Sequence, residues 1–250
     1  MSPAEFEPTP GEQARALEIE EQAENLRVRA VLCCNEALDR SEFFQLLRAG
    51  AIAAPLIQYV FLQYRFWRDQ FHKWFAFCIL KSGSCDEPDQ KNAVMALAHH
   101  IFADLRDSHE VMFASFLHDL GLSEQDIAAS RPNRATLSYA RSFFEEFGYG
   151  TENFHEAIAA LSGRELCVSV RNGRILRDYV YPRKLIPSEW LVLHETLEEE
   201  HYRDAVRPVF MRHGQDPDKV EAMTKCACGG IERHVRYFDE MLLEYQRSPA

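Results

Sequence analysis

The chain has 250 residues, of which 46% are hydrophobic, and a formal net charge of −11 with a pI near 5.4. This is enough apolar content for one large core, and the acidic surface excludes a nucleic-acid partner, which needs clustered Lys and Arg against phosphate. No run of about 18 uninterrupted apolar residues occurs, so no membrane partner is expected; even the aromatic stretch 51–80 is broken by Arg65, Arg68, Asp69 and Lys73.

Residues 1–10 are expected to be a disordered tail and 11–250 a single helical domain. The first 25 residues are rich in Glu and Pro and contain no apolar signal segment, so a cytoplasmic protein is expected. Its seven cysteines then read as reduced thiols. Helical spacing of Leu and Val begins near Gly11 and runs past Cys34. Ser41 is an N-cap for a helix carrying Phe43, Phe44, Leu46 and Leu47, and Gly50 ends it. Pro55 opens a helix predicted to reach about Lys81. Its aromatics surround much of the circumference, which places it inside the domain. Another helix follows over 89–105. Ser108 caps one running through Leu120, where Gly121 stops it. Further helices are predicted at 134–147, 151–162, 187–212 and 216–246. Only VSVRNGRILRDYV (168–180) reads as non-helical, either a small hairpin at Asn172–Gly173 or an irregular loop. The fold class is all-α.

The segment WLVLHETLEEEHYRDAV (190–206) carries the chemistry. His194, Glu198 and His201 stand at i, i+4 and i+7. At about 100° per residue they project from one narrow stripe, bounded by Leu191 and Leu197, and the stripe is expected to face inward. Buried imidazoles and a carboxylate are costly unless something satisfies them. A divalent metal does so, since both are ligands for non-haem iron, manganese and zinc. Glu195, Glu199, Glu200 and Arg203 fit a solvated surface.

One helix cannot complete such a site. Glu156, at the head of the small, apolar run AIAAL, is a candidate second donor; the alternative is a first-turn acid favoured by the helix dipole. His109 is another candidate, and Asp104 or Asp107 just upstream could add a carboxylate. His99 and His100 are adjacent and cannot face the same way, so a core or surface role is the default for both. Cys226 and Cys228, beside Gly229–Gly230, read as small residues at a close helix contact rather than a zinc or redox site. Cys33–Cys34 reads as core packing. Phosphate-loop, GxSxG and HExxH signatures are absent.

LHETLEEEH, SHEVMFASFLHDLGL and the final RHVRYFDEMLLEY together resemble the haem-oxygenase-like di-iron oxidases, a superfamily that includes thiaminase II (TenA) and pyrroloquinoline-quinone synthase. The resemblance spans roughly 40–245. It implies an up-and-down bundle of about seven or more helices, usually a homodimer. The implied metal ligands are His194, Glu198 (where the family usually has Asp), His201, Glu156, His109 and Asp107, with Asp104 as the alternative to Asp107. Asp69, Gln70 or His72 lies where the long aromatic helix would donate. Glu156 and Glu198 take the catalytic, metal-bridging role.

The activity implied is that of an oxidase using Fe(II), two ions with Mn possible, and O2. It would oxidise a small amino-acid-, amine- or acyl-type metabolite. Among the basic residues near 164–184, Arg174 and Arg177 are candidates for holding a substrate carboxylate by a bidentate contact. Two other classes fit the sequence. One is a metal-free TenA-like or quinone-synthase-like enzyme working by acid–base chemistry. The other is a non-catalytic helical binding protein.

Overall fold

Apolar spacing with a period near 3.6 recurs along the sequence, and the computed structural model answers it with helices; no strand occurs among the described residues. Those residues are 9–83, 88–142, 144–145, 153–214 and 216–247; for 12, 88, 89, 197–199, 203, 205–208 and 210–212 only the backbone is described. Most of the expected N-terminal tail lies outside them. In chain order the helices are α1 (Pro10–Arg40), α2 (Glu42–Arg48), α3 (Ala54–Arg68), α4 (Phe71–Leu80), α5 (Pro88–Arg106), α6 (His109–Asp119), α7 (Glu124–Ala129), α8 (Arg134–Ser142), α9 (Phe154–Ile175), α10 (Glu189–His213) and α11 (Pro217–Arg247). No helix among the described residues is long and apolar enough to cross a membrane.

Local chemistry sets several boundaries. The Ser41 hydroxyl accepts from the Phe44 amide and donates to Asp239 Oδ1 at 2.6 Å, which ties the start of α2 to α11. Gly50 (φ 68°) and Gly121 (φ 90°) take the left-handed conformation that ends α2 and α6. Ser123 and Asp126 form a reciprocal capping box on α7, a helix the sequence reading does not separate.

Two expectations are corrected. The long aromatic helix is not continuous: α3 closes at Asp69, the Gln70 side-chain amide donates to the Phe66 carbonyl at 3.1 Å, and α4 starts afresh. The break redirects α4 so that Trp74 packs against Trp67, with ring centroids 4.5 Å apart. The 168–180 segment is not a hairpin or loop. It continues α9 to Ile175, then runs through a π-helical turn, Leu176–Val180. Asn172, Gly173 and the valines are poor helix formers, but burial overrides propensity: Asn172 Oδ1 accepts from Arg171 at 2.6 Å, and at Gly173 the Glu195 side chain comes so close that a Cβ would sit 2.9 Å from its carboxylate.

Nearly every residue of α9 is buried. It runs through the middle of the bundle, packed chiefly on α10 and α11, with α1 touching all three and α5 packed on α10. Small residues permit this: a Cβ at Gly163 would lie 2.6 Å from the Ala227 carbonyl oxygen, and one at Gly230 would run into Ala160. The close helix contact expected around 226–230 is therefore present, between α9 and α11.

A polar network crosses the same core. Arg171 Nη1 lies 3.1 Å from His234 Nε2, and His234 Nδ1 lies 3.0 Å from the Tyr139 hydroxyl. A guanidinium only donates, so Nε2 is the acceptor and His234 is neutral with its proton on Nδ1. Burial, then Arg171 and Arg164, push its pKa well below 6.5.

Two predictions follow from this packing. Gly163→Ala should cost about 1–3 kcal/mol, read as a lower urea midpoint. Gly11→Ala, with nothing within 4 Å, should leave the midpoint unchanged or slightly higher. For His234 the folded pKa lies below the unfolded value of 6.5, so the unfolded chain binds more protons as pH falls and stability drops from pH 6.5 downward. His234→Gln should flatten that loss by up to about 1.4 kcal/mol per pH unit; an unchanged slope would remove His234 from the account.

Candidate metal centre

His100 and Asp104 stand one turn apart on α5, so both project from the same helix face. Ser108 follows α5 in the left-handed conformation (φ 55°). That residue turns the chain so that His109, the first residue of α6, comes back against Asp104. α9 contributes Glu165, and α10 contributes His194 and His201, two turns apart.

The side chains gather into two triads. His100, Glu165 and His201 form one; Asp104, His109 and His194 form the other. Within each triad the ligating atoms lie within 4.8 Å of one another. His100 and His201 rings are 3.6 Å apart, and His100 Nε2 is 3.7 Å from Glu165 Oε2. The His109 and His194 rings are 4.9 Å apart, and His109 Nδ1 lies directly against Asp104 Oδ1. His100, Asp104, Glu165 and His194 also line one cavity of about 40 Å³, walled by aromatics that include Tyr64, Trp67 and Trp190. The two triads therefore face a shared space.

Neighbouring groups fix the orientation of these side chains. The His194 Nδ1–H donates to the Trp190 carbonyl at 2.9 Å, which leaves Nε2 as the nitrogen with a lone pair. Arg68 Nη2 stands 3.7 Å from Asp104 Oδ2. Arg164 Nη2 is 3.4 Å from Glu165 Oε1, with its guanidinium stacked between Trp67 and Trp74 at 4.3 and 4.1 Å. Burial pushes the His194 pKa down to about 3, His100 well below its ordinary value and His201 below it as well. All three are neutral imidazoles at neutral pH, the form that binds metal.

The donor set fits a metal. His109 Nδ1 is buried and makes no hydrogen bond, although it faces a carboxylate oxygen. Each triad offers two imidazoles and one carboxylate, the set associated with non-haem Fe(II).

The structure brings His109, His194 and His201 of the sequence candidates into these triads. Glu198 lies on α10 between the two histidines, but its side chain is outside the described residues. Asp107 does not join them: it is exposed and bound by Arg106 at 2.6 and 2.7 Å, and Asp104 takes the place beside His109. Glu156 does not join them either. It sits in the first turn of α9, beside Asn153, on a cleft of about 500 Å³ at the bundle's end. Glu165 is nine residues further on, about 180° round the helix, and faces α5 and α10 instead. Arg174 is held by Asp39 and Asn35 of α1 at 2.6 and 2.8 Å, and Arg177 by Asp178 at 2.7 Å; neither lines the cavity. Asp69, Gln70 and His72 belong to neither triad.

Sequence reasoning missed His100 and Glu165. The signal for His100 was its one-turn spacing from Asp104, the same rule that pairs His194 with Glu198. For Glu165 it was an acid in the middle of a run of small and apolar residues.

No curated protein sequence matches the chain. Solved structures share its fold at low identity. A protein of heme oxygenase-like fold from Shewanella denitrificans OS217 is 17% identical, with a TM-score of 0.68, covering 89% of this chain and 93% of that one. A TenA homolog from Pseudomonas syringae pv. tomato DC3000 is 12% identical (TM-score 0.65, covering 89% and 93%). A putative TenA-like thiaminase from Sulfolobus solfataricus P2 is 14% identical (TM-score 0.59, covering 88% and 95%). The bundle is thus the heme oxygenase-like fold. Residues 58–242 match the Haem_oxygenas_2 family, described as iron-containing redox enzymes, and with most of its length inside that match the chain belongs to this family.

Proposed function

We propose that the protein is a non-haem di-iron oxidase that activates O2 to oxidise a small amino-acid-, amine- or acyl-type metabolite. The observation that carries this reading is the pair of two-histidine, one-carboxylate triads facing one small cavity. His100, Glu165 and His201 would hold one iron, and Asp104, His109 and His194 the other. The metal would supply the electrons that O2 accepts. The protein's own groups do the rest. The Trp190 carbonyl holds His194 in one tautomer, while Arg68 and Arg164 keep Asp104 and Glu165 oriented. Tyr64, Trp67 and Trp190 exclude bulk water, which strengthens every charge interaction inside. A cavity of about 40 Å³ suits a diatomic gas.

A second reading is a metal-free acid–base enzyme of the TenA type. His109 against Asp104 and His100 near Glu165 are imidazole–carboxylate pairs of the kind that moves protons.

Anaerobic titration with Fe(II) separates the two readings. Wild type should take up about two irons per chain, one per triad, and show a transient visible absorbance on mixing with O2. Glu165→Ala and His194→Ala should each lose at least one iron with the helical spectrum intact. Glu156→Ala and Arg177→Ala should keep both. A wild type that binds no iron would leave the acid–base reading standing alone.

A further inference from the structure

The cleft of about 500 Å³ at the bundle's end stands apart from the triads. Among the described residues it shares no lining side chain with the metal cavity. Its wall at Ala93 of α5 is seven residues before His100, and its wall at Val209 of α10 is eight after His201. It therefore lies about 10–12 Å along the bundle from the nearer triad. The start of α9 opens onto it through Asn153, Phe154, His155 and Glu156. The first bond inside that helix runs from the Ala157 amide to the Asn153 carbonyl at 3.2 Å, and the Asn153 side chain makes no capping hydrogen bond. The amides of residues 154–156 are thus left without a helical acceptor. His155 adds a buried, unsatisfied group. It is only 7% exposed, yet its ring makes no hydrogen bond among the described residues. It lines the cleft and packs on the His213 ring, with centroids 4.6 Å apart. A buried imidazole without a partner is costly, and a ligand in the cleft would supply one.

We infer that this cleft is a binding site for a small apolar α-amino acid, its carboxylate held by the start of α9, His155 and Lys219, and its ammonium by Glu156. Free amides at a helix N-terminus, with the dipole behind them, favour an anion. Burial pushes the His155 pKa below its ordinary value, so the ring is neutral and one nitrogen donates. Lys219 lines the same cleft, its ammonium 3.4 Å from His213 Nδ1 and 3.7 Å from Asp216 Oδ2. Asp216 is engaged, its other oxygen accepting from the amides of Asp218 and Lys219. The Glu156 carboxylate accepts one long hydrogen bond among the described residues, from the Asn153 side chain at 3.4 Å.

The charges on the lining select the ligand class. Glu156 follows His155 directly in the chain, so donors and carboxylate stand side by side, as the two charges of an amino acid stand on one carbon. A plain carboxylate would meet Glu156 with nothing to offset the repulsion. A plain amine would leave His155 and the α9 amides unanswered. A zwitterion satisfies both. Phe154, Val209 and Ala222 offer an apolar wall for its side chain, and the volume is that of a small-ligand site. None of these residues belongs to either triad, so binding needs no iron and the inference does not rest on the oxidase reading.

The test titrates the full chain calorimetrically with L-leucine, with isocaproate (leucine without its ammonium) and with isoamylamine (leucine without its carboxylate), each with and without Fe(II). Leucine is expected to saturate in both conditions with a Kd of about 1 mM or tighter. Each analogue lacks one charge-assisted contact and should bind about tenfold more weakly or worse. Lys219→Met should weaken leucine by about tenfold and leave isoamylamine unchanged. Glu156→Gln should weaken leucine by about as much, and leave isocaproate unchanged or tighter. The site is overturned if leucine does not saturate wild type by about 10 mM, if either analogue binds as tightly as leucine, or if both variants bind leucine like wild type. The wild-type comparison of the three probes decides this even if a variant does not fold. A protein that binds leucine and no iron keeps this site and loses only the oxidase reading; one that binds iron and no leucine loses only this site.

Discussion

Four imidazoles and two carboxylates withdrawn from water in the middle of a helical bundle are what the rest of the structure has to accommodate. Each such group costs free energy unless a hydrogen bond, an opposite charge or a metal answers it. The protein answers some of this itself. His194 is bonded to the Trp190 carbonyl, Asp104 has Arg68 beside it, and Glu165 has Arg164. The remaining lone pairs converge on two points, an arrangement that a divalent cation would satisfy. Membership in a family of iron-containing redox enzymes and this donor geometry therefore point the same way from independent observations.

The site depends on how deep α9 lies. Glu165 reaches α5 and α10 only because α9 sits against α11 at near backbone contact, and glycine at 163 and 230 is what allows that separation. The same depth explains the buried arginines. Arg164 lies between two tryptophan faces, and Arg171 lies over Tyr64 and donates to His234 and Asn172. Aromatic faces, together with Glu165 for Arg164 and neutral acceptors for Arg171, partner those buried cations.

The broken aromatic helix and the left-handed Ser108 serve the same centre. Ending α3 at Arg68 leaves that guanidinium at a helix terminus beside Asp104, and α4 then brings Trp74 under Arg164. The turn at Ser108 returns His109 to Asp104 across a gap that a continuous helix would not close. At i and i+5, the two residues would otherwise diverge by about 140°.

Sequence alone determined the helical class, the boundaries set by Ser41, Gly50 and Gly121, and the inward stripe that holds His194 and His201, because each rests on a period or a cap that acts within a few residues. It also singled out His109. It could not choose Glu165 over Glu156, Asp104 over Asp107, or promote His100. In each case the rival has similar chemistry, and only which side chain is turned toward α10 separates them. It missed the helical character of 168–180 for the same reason, since burial between α10 and α11 supplied what local propensity lacked. Periodicity says which residues share a side of a helix; which side meets the core is set by contacts between segments far apart in the chain.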